Sequence, residues 1–258
     1  MGAGLPSDAR AFKCETQRSA HRPKMRASTG PRSMAQNPMP ASTPLSAPHE
    51  TTAGILLAGG RSRRMGGGDK PLISLGGLSL LTRVAGTLQP QCDALLISAN
   101  GDPGRFAAYG LPVVADDVPD FAGPLAGILA GLDFIATYLP EARFAVSVAT
   151  DTPFLPGDLV ARLHLARERE EAELVCARSG GRVHPVVALW PITIRADLRQ
   201  ALVREDLRKI EHFLERYRLA YADWPAEAFD PFLNINAPTD LADAERILQA
   251  GMGIRERA

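Results

Sequence analysis

The sequence predicts an α/β domain in which a mostly parallel sheet carries helices on both faces. Three observations point there. Short apolar runs alternate with longer segments of helical periodicity from residue 51 onward, the run RFAVSVA (143–149) is apolar nearly throughout, and the first run empties into a glycine-rich loop. Such alternation is the pattern of βαβ units. A strand without polar alternation is one covered on both faces, as the middle of a parallel sheet is.

In chain order, strands are expected at AGILLA (53–58), ALLIS (94–98), PVV (112–114), RFAVSVA (143–149), LVCA (174–177) and VVAL (186–189). Between them SLLTRVAGTLQ (79–89), GPLAGILAGLDFIATYL (123–139) and PGDLVARLHLAREREE (156–171) repeat apolar residues at helical spacing. Further on, ADLRQALVRE (196–205), KIEHFLERY (209–217) and DLADAERILQ (240–249) read as amphipathic helices that close the domain. Residues 1–50 are different in kind. They are rich in Ser, Pro, Ala, Arg and Met without periodicity, so they cannot bury enough surface to offset the entropy of ordering. The expectation is a disordered tail over 1–50 and one domain over 51–258. The tail holds seven basic residues (Arg10, Lys13, Arg18, Arg22, Lys24, Arg26, Arg32) against three acidic ones (Asp8, Glu15, Glu50), a bias shared with transit peptides. It has no amphipathic helix, which favours a plain tail, or a true start at Met34 or Met39.

Composition narrows the function. Lys plus Arg and Asp plus Glu are both 29, so no global field draws the chain to nucleic acid or to an anionic membrane, and neither partner is expected. No apolar run reaches the roughly 18 residues needed to span a bilayer, and no signal-peptide core is present. Three cysteines, Cys14, Cys92 and Cys176, are an odd number at wide spacing, which reads as reduced thiols in a cytoplasmic protein.

The loop after the first strand, Gly59 to Lys70, holds five glycines, three arginines and a lysine. Glycines let successive N–H groups form an anion-binding concavity, while Arg offers a planar fork and Lys a point charge to phosphate oxygens. A polyphosphate fits. Familiar phosphate loops do not: Lys70 follows Asp69 and precedes Pro71, which breaks the Walker pattern, and no GxGxxG is present. Glycine-rich surface loops are common, and this one is set apart by leaving the first strand at the edge where α/β sheets bind ligands.

Carboxylates gather at the same edge. Asp116 and Asp117 follow PVV, and Asp151 follows RFAVSVA in ATDTPFLP. Mg²⁺ prefers one or two carboxylates plus phosphate oxygens and water, which makes Asp151 the leading metal ligand. Asp-Thr-Pro is also a common turn, and Asn100-Gly101 carries the same double meaning, a turn or an amide for a base or ribose. Gly123-Pro124 opens a helix whose N–H groups could meet an anion, though a plain helix start is the commoner role. His184 is more often packed than catalytic in such a context.

Taken together, LLAGG-x-S-x-RMG-xx-DK-P-L (56–72), Asn100, Asp116 followed by GPLAG (123–127), ATDTPFLP (149–156), HP (184–185) and NINAPTDL (234–241) closely resemble the molybdenum cofactor guanylyltransferases. The match runs in order from about residue 52 to 248. The resemblance implies a Rossmann-like three-layer α/β/α nucleotidyltransferase fold that binds GTP and joins GMP to the terminal phosphate of molybdopterin, releasing pyrophosphate. It places Leu57, Ala58 and Gly59 at the nucleotide end of the first loop and Lys70 on the phosphates. Asn100 and Asp116 fall at nucleotide-contacting positions, and Asp151 on Mg²⁺. Arg64, Lys70 and Asp151 are the expected catalytic groups. The resemblance, not the residues, supplies guanine: LAGG is the guanylyl form and LAAG the cytidylyl form, so Gly59 favours GTP. Relatives usually lack the long N-terminal tail.

No general base is required, since a terminal phosphate is largely ionised near pH 7, its second pKa being about 6. The alternatives are a molybdopterin cytidylyltransferase or sugar-phosphate nucleotidyltransferase, and a non-catalytic molybdopterin carrier. A monomer is expected, with transient contacts to a molybdopterin-delivering protein and to an acceptor molybdoenzyme. The pterin surface expected is the groove near Arg182, His184 and Asn234 to Asn236.

Overall fold

The computed structural model describes residues 50–59, 69–118 and 123–255, with side chains through 251. Apart from Glu50, the expected 1–50 tail lies outside the described residues, as do Arg61, Arg63 and Arg64 of the glycine loop. Strands β1 (Thr52–Leu57), β4 (Ala94–Ser98), β5 (Val113–Val114), β6 (Phe144–Ala149), β7 (Leu174–Ser179), β8 (Arg182–Pro191) and β9 (Leu219–Trp224) form one seven-stranded sheet in the order β5-β4-β1-β6-β8-β7-β9. A hairpin of β2 (Ser74–Leu75) and β3 (Leu78–Ser79) stands apart. β1 is parallel to β4 and β6, β4 to β5, and β7 to β9, while β8 is antiparallel to both its neighbours. The sheet is therefore mostly parallel, with β8 alone reversed.

Helices cover both faces. Residues Leu81, Val84 and Leu88 of α1 (Leu80–Leu88) and Leu159, Val160 and Leu163 of α3 (Leu159–Arg169) join one core with Leu56, Val146 and Val175. On the other face α2 (Pro124–Tyr138), α4 (Arg195–Arg204) and α5 (Ile210–Leu214) pack Leu125, Leu129, Leu198 and Phe213 against Ile55, Ala145 and Cys176. α2 lies close against the sheet. A Cβ on Gly131 would lie 2.6 Å from Ile55 Cδ1, and one on Gly127 would lie 2.8 Å from Ser98 Oγ, so glycine at both positions lets the helix rest directly on β1 and β4. β6 is buried along most of its length, and its one polar side chain is satisfied: Ser147 Oγ donates to the Val186 carbonyl at 2.6 Å and accepts from Trp190 Nε1 at 2.8 Å.

Several elements differ from expectation. The segment read as a helix over 209–217 is helical only over Ile210–Leu214, and the chain then forms β9, a strand the sequence reading did not contain. β8 also extends well beyond VVAL. The last helix, α6 (Pro238–Arg255), begins where NINAPTDL ends its turn, with Asp240 Oδ2 accepting from the N–H groups of Asn236 and Ala237, each at 2.8 Å. Those two backbone bonds hold the Asp240 carboxyl below its ordinary value.

Candidate active site

The strand order places a reversal at β1. The chain runs outward through β4 and β5, then returns to pair β6 with β1 on the other side, and the crevice at such a switch point is where open α/β sheets take ligands. The pairing registers align the residues beyond it. Leu57 pairs with Ser98 and with Ala149, and Ser98 pairs with Val114. Gly59, Asn100, Asp116 and Asp151 each lie two residues past one of these partners, so one row across the carboxyl edge holds four of the residues singled out in the sequence.

Within that row, Leu57 and Ala58 are largely structural: the Leu57 carbonyl accepts from Thr150 N at 3.2 Å and Thr150 Oγ1 at 3.1 Å, and Ala58 N donates to the Ser98 carbonyl at 2.9 Å. Gly59 is the exposed one of the three, and a Cβ there would meet nothing within 4 Å. The described protein does not itself demand glycine at that position. Asn100 and Asp116 exchange two hydrogen bonds, Asn100 Nδ2 donating to Asp116 Oδ2 at 2.6 Å and Asp116 N donating to Asn100 Oδ1 at 3.0 Å. The neighbouring Asp117 turns away to Arg199 of α4, at 3.1 Å.

Lys70 closes the site from the opposite wall. Its ammonium is ion-paired with Asp151 Oδ2 and donates to Asn236 Oδ1 at 2.5 Å. Both side chains of the pair are mostly buried, at 13% and 17% exposure, so the charges are poorly screened and each needs a partner of opposite charge. The backbone ties the same three segments together, since Ile235 N donates to the Asp151 carbonyl at 2.9 Å. Asp151 Oδ1 is buried and has no hydrogen-bond partner among the described residues. An unpartnered carboxylate oxygen beside a lysine is a hard, anionic donor open to a cation. No group of three or more His, Cys, Asp or Glu residues that could hold a metal occurs among the described residues.

His184 is not part of this site. It is 8% exposed, contacts Ser179 Oγ through Nε2 at 2.7 Å, and packs on the Phe232 ring with centroids 4.8 Å apart. Ser179 Oγ in turn donates to Asp230 Oδ1 at 2.7 Å, which leaves Nε2–H as the donor to Ser179 and no free base to activate that hydroxyl. The expected pterin groove therefore lacks His184. Asn236, by contrast, enters the site through Lys70, and Arg105, unmarked in the sequence reading, donates to Asp69 and to the Asn100 carbonyl. Arg64 lies outside the described residues. Surface hollows of about 390 and 430 Å³ lie elsewhere, against α4 and beside Phe144, Pro191 and Tyr217.

Comparison with known proteins identifies the family. The family model described as a MobA-like NTP transferase domain matches residues 54–220. The molybdenum cofactor guanylyltransferase of Rhodopseudomonas palustris (strain BisB5) is 55% identical over 201 residues, 78% of this chain and 96% of that protein. Its counterpart in Bradyrhizobium sp. (strain ORS 278) is 58% identical over 199 residues, 76% of this chain and 94% of that protein. Among solved structures, the molybdopterin-guanine dinucleotide biosynthesis protein A of Archaeoglobus fulgidus superposes with a TM-score of 0.61 at 24% identity, covering 78% of this chain and all 100% of that one, a likeness of fold. With half or more of its sequence matched at family level and nearly the full length of its relatives aligned, the chain belongs to the molybdenum cofactor guanylyltransferases.

Proposed function

We propose that this enzyme transfers GMP from GTP to the terminal phosphate of molybdopterin, releasing pyrophosphate and forming the molybdopterin guanine dinucleotide. The observation that carries the reading is the pairing of Lys70 with an Asp151 whose second oxygen has no described partner, at the switch point of the sheet. Lys70 is paired with Asp151 and hydrogen-bonded to the Asn236 amide oxygen, and GTP offers its ammonium phosphate oxygens in their place. Asn100 and Asp116, already fixed to each other, hold the nucleoside end two strands away. The protein's work is positioning: the pterin phosphate attacks the α-phosphorus in line with the departing pyrophosphate, and no side chain needs to remove a proton from it. A divalent metal belongs to this reading, because a triphosphate beside the open oxygen of Asp151 offers it ligands. Magnesium is the ion we assign here, with Asp151 as its protein ligand, and when bound it neutralises charge on the triphosphate oxygens. Arg64 is assigned to the α-phosphate on the sequence alone.

GTP is preferred to CTP on the strength of Gly59, a glycine its described surroundings do not require. The enzyme acts as a monomer in the cytoplasm, in passing contact with the protein that delivers molybdopterin and the one that receives the product. No helix among the described residues is long and apolar enough to cross a membrane. Calorimetric titration of GTP and then CTP into the full chain with Mg²⁺ tests the reading. Tighter GTP binding, followed by pyrophosphate release on adding molybdopterin, is the expected result; a CTP preference moves the enzyme to the cytidylyl class, and binding of neither nucleotide leaves only a carrier.

A further inference from the structure

Arg105 lies in none of the motifs that mark the site. It sits in the 3₁₀ run Pro103–Tyr109 after β4, a run opened by Asp102, whose carboxylate accepts from Gly104 N at 2.8 Å. Its guanidinium donates from Nη1 to Asp69 Oδ1 at 2.5 Å and from Nη2 to the Asn100 carbonyl at 2.7 Å. The same group lies over the Phe106 ring, 4.7 Å from its centroid, and Phe106 is 1% exposed, so the platform is fixed in the core. Both acceptors adjoin site residues. Asp69 is the residue before Lys70, and Asn100 is the residue whose side chain holds Asp116. The two walls of the crevice, one carrying the lysine and the other the amide and carboxylate, are thus joined through one planar fork.

An ion pair at a surface is commonly worth little. This one differs in three respects: Arg105 and Asp69 are only 27% and 34% exposed, the guanidinium has a second acceptor on a different segment, and its plane rests on a buried ring. A guanidinium fixes the angle between its two donors, so bridging Asp69 and Asn100 fixes their separation, which a single point charge cannot do. The chain between Asn100 and Arg105 turns at Gly101, whose φ is +90°, so the bond from Arg105 back to the Asn100 carbonyl closes that turn.

We propose that Arg105 is a positioning residue that sets the distance between the phosphate end of the nucleotide site, at Lys70, and its nucleoside end, at Asn100 and Asp116. The proposal rests on the guanylyl-transfer reading above. GTP is the ligand that spans both ends, so GTP binding is what the spacing serves.

Steady-state pyrophosphate release by the full-length enzyme, with GTP and molybdopterin varied in turn, tests it alongside calorimetric GTP binding. Arg105→Gln raises the KM and Kd for GTP about tenfold, the scale of one charge-assisted hydrogen bond, while the KM for molybdopterin stays within about twofold. Arg105→Lys, which reaches one acceptor at a time, recovers part of the loss. Asp69→Asn gives a similar defect, and adding Arg105→Gln to it costs little more. An unchanged GTP KM in Arg105→Gln, full recovery by Arg105→Lys, or an equal rise in both KM values with a lower Tm overturns the proposal while leaving the activity intact. A wild-type enzyme that releases no pyrophosphate from GTP overturns the activity reading first, and this proposal with it.

Discussion

Lys70, Asp151 and Asn236 at the carboxyl edge of β1 and β6, and Ser179, His184 and Asp230 beside β7 and β8, are two small polar clusters carried by one sheet. They differ in what they leave open. The second closes on itself: His184 is bonded to Ser179, Ser179 to Asp230, and Asp230 also accepts from Phe232 N at 2.9 Å, under the rings of Phe232 and Trp224. The first leaves Asp151 Oδ1 buried without a described partner and binds its lysine to groups that a ligand could replace. A buried polar group is tolerated when satisfied, and one left unsatisfied is the place to look for a missing partner. One cluster is a rivet, the other a socket.

That contrast is sharpened most by removing the socket's carboxylate. Asp151→Ala lowers turnover roughly a hundredfold or more, the scale of losing one electrostatic contact to the reacting centre, while circular dichroism stays that of the wild type; normal turnover sinks the metal assignment. Next in size, Lys70→Ala weakens GTP binding roughly tenfold, as expected for one charged hydrogen bond, and calorimetry reporting an unaltered affinity would remove Lys70 from the phosphates. In the rivet the effects move to stability. His184→Asn leaves GTP affinity unchanged and costs about 1–3 kcal/mol by leaving Ser179 and the ring pocket poorly filled, read as a fall in Tm; weakened GTP binding at unaltered Tm would erase the distinction between the clusters.

The smallest effect is the pH dependence of that same residue. Burial holds His184 below its ordinary value, with Asp230 acting in the opposite sense. The unfolded chain therefore binds a proton from about pH 6.5 that the native protein still refuses. The stabilisation is present above that pH and is lost as pH falls toward the native value. Denaturant titrations between neutral pH and pH 5 should show a downward slope in the wild type that is shallower in His184→Asn. Equal slopes would place the titration elsewhere.

Much of this was legible in the sequence, for identifiable reasons. β1, β4, β5 and β6 are apolar runs ending in turn residues, and turn residues at strand ends are where an α/β sheet presents its chemistry, so Gly59, Asn100, Asp116 and Asp151 could be placed along one edge of the sheet from position alone. β9 could not. Its burial alternates as an edge strand's does, in a string that continues the helical spacing of 209–217, and only pairing with β7 decides its conformation. Arg105 was hidden for another reason. It stands in an irregular GDPGRF stretch where no periodicity predicts which way a side chain turns, and its partners are 36 and 5 residues away. His184 was marked by its chemistry, but burial was what decided its role.

The bond from Lys70 to Asn236 joins residues 166 positions apart, and Asn236 is itself pinned by Asp240 at the start of the last helix. On a ribosome adding about 5–20 residues per second, the lysine emerges roughly ten to thirty seconds before the amide that receives it. The nascent chain can pair its central strands in that interval, but the socket is finished only once Asn236 has emerged. A message cut short before the Asn236 codon would therefore yield a protein with most of its sheet and an incomplete site.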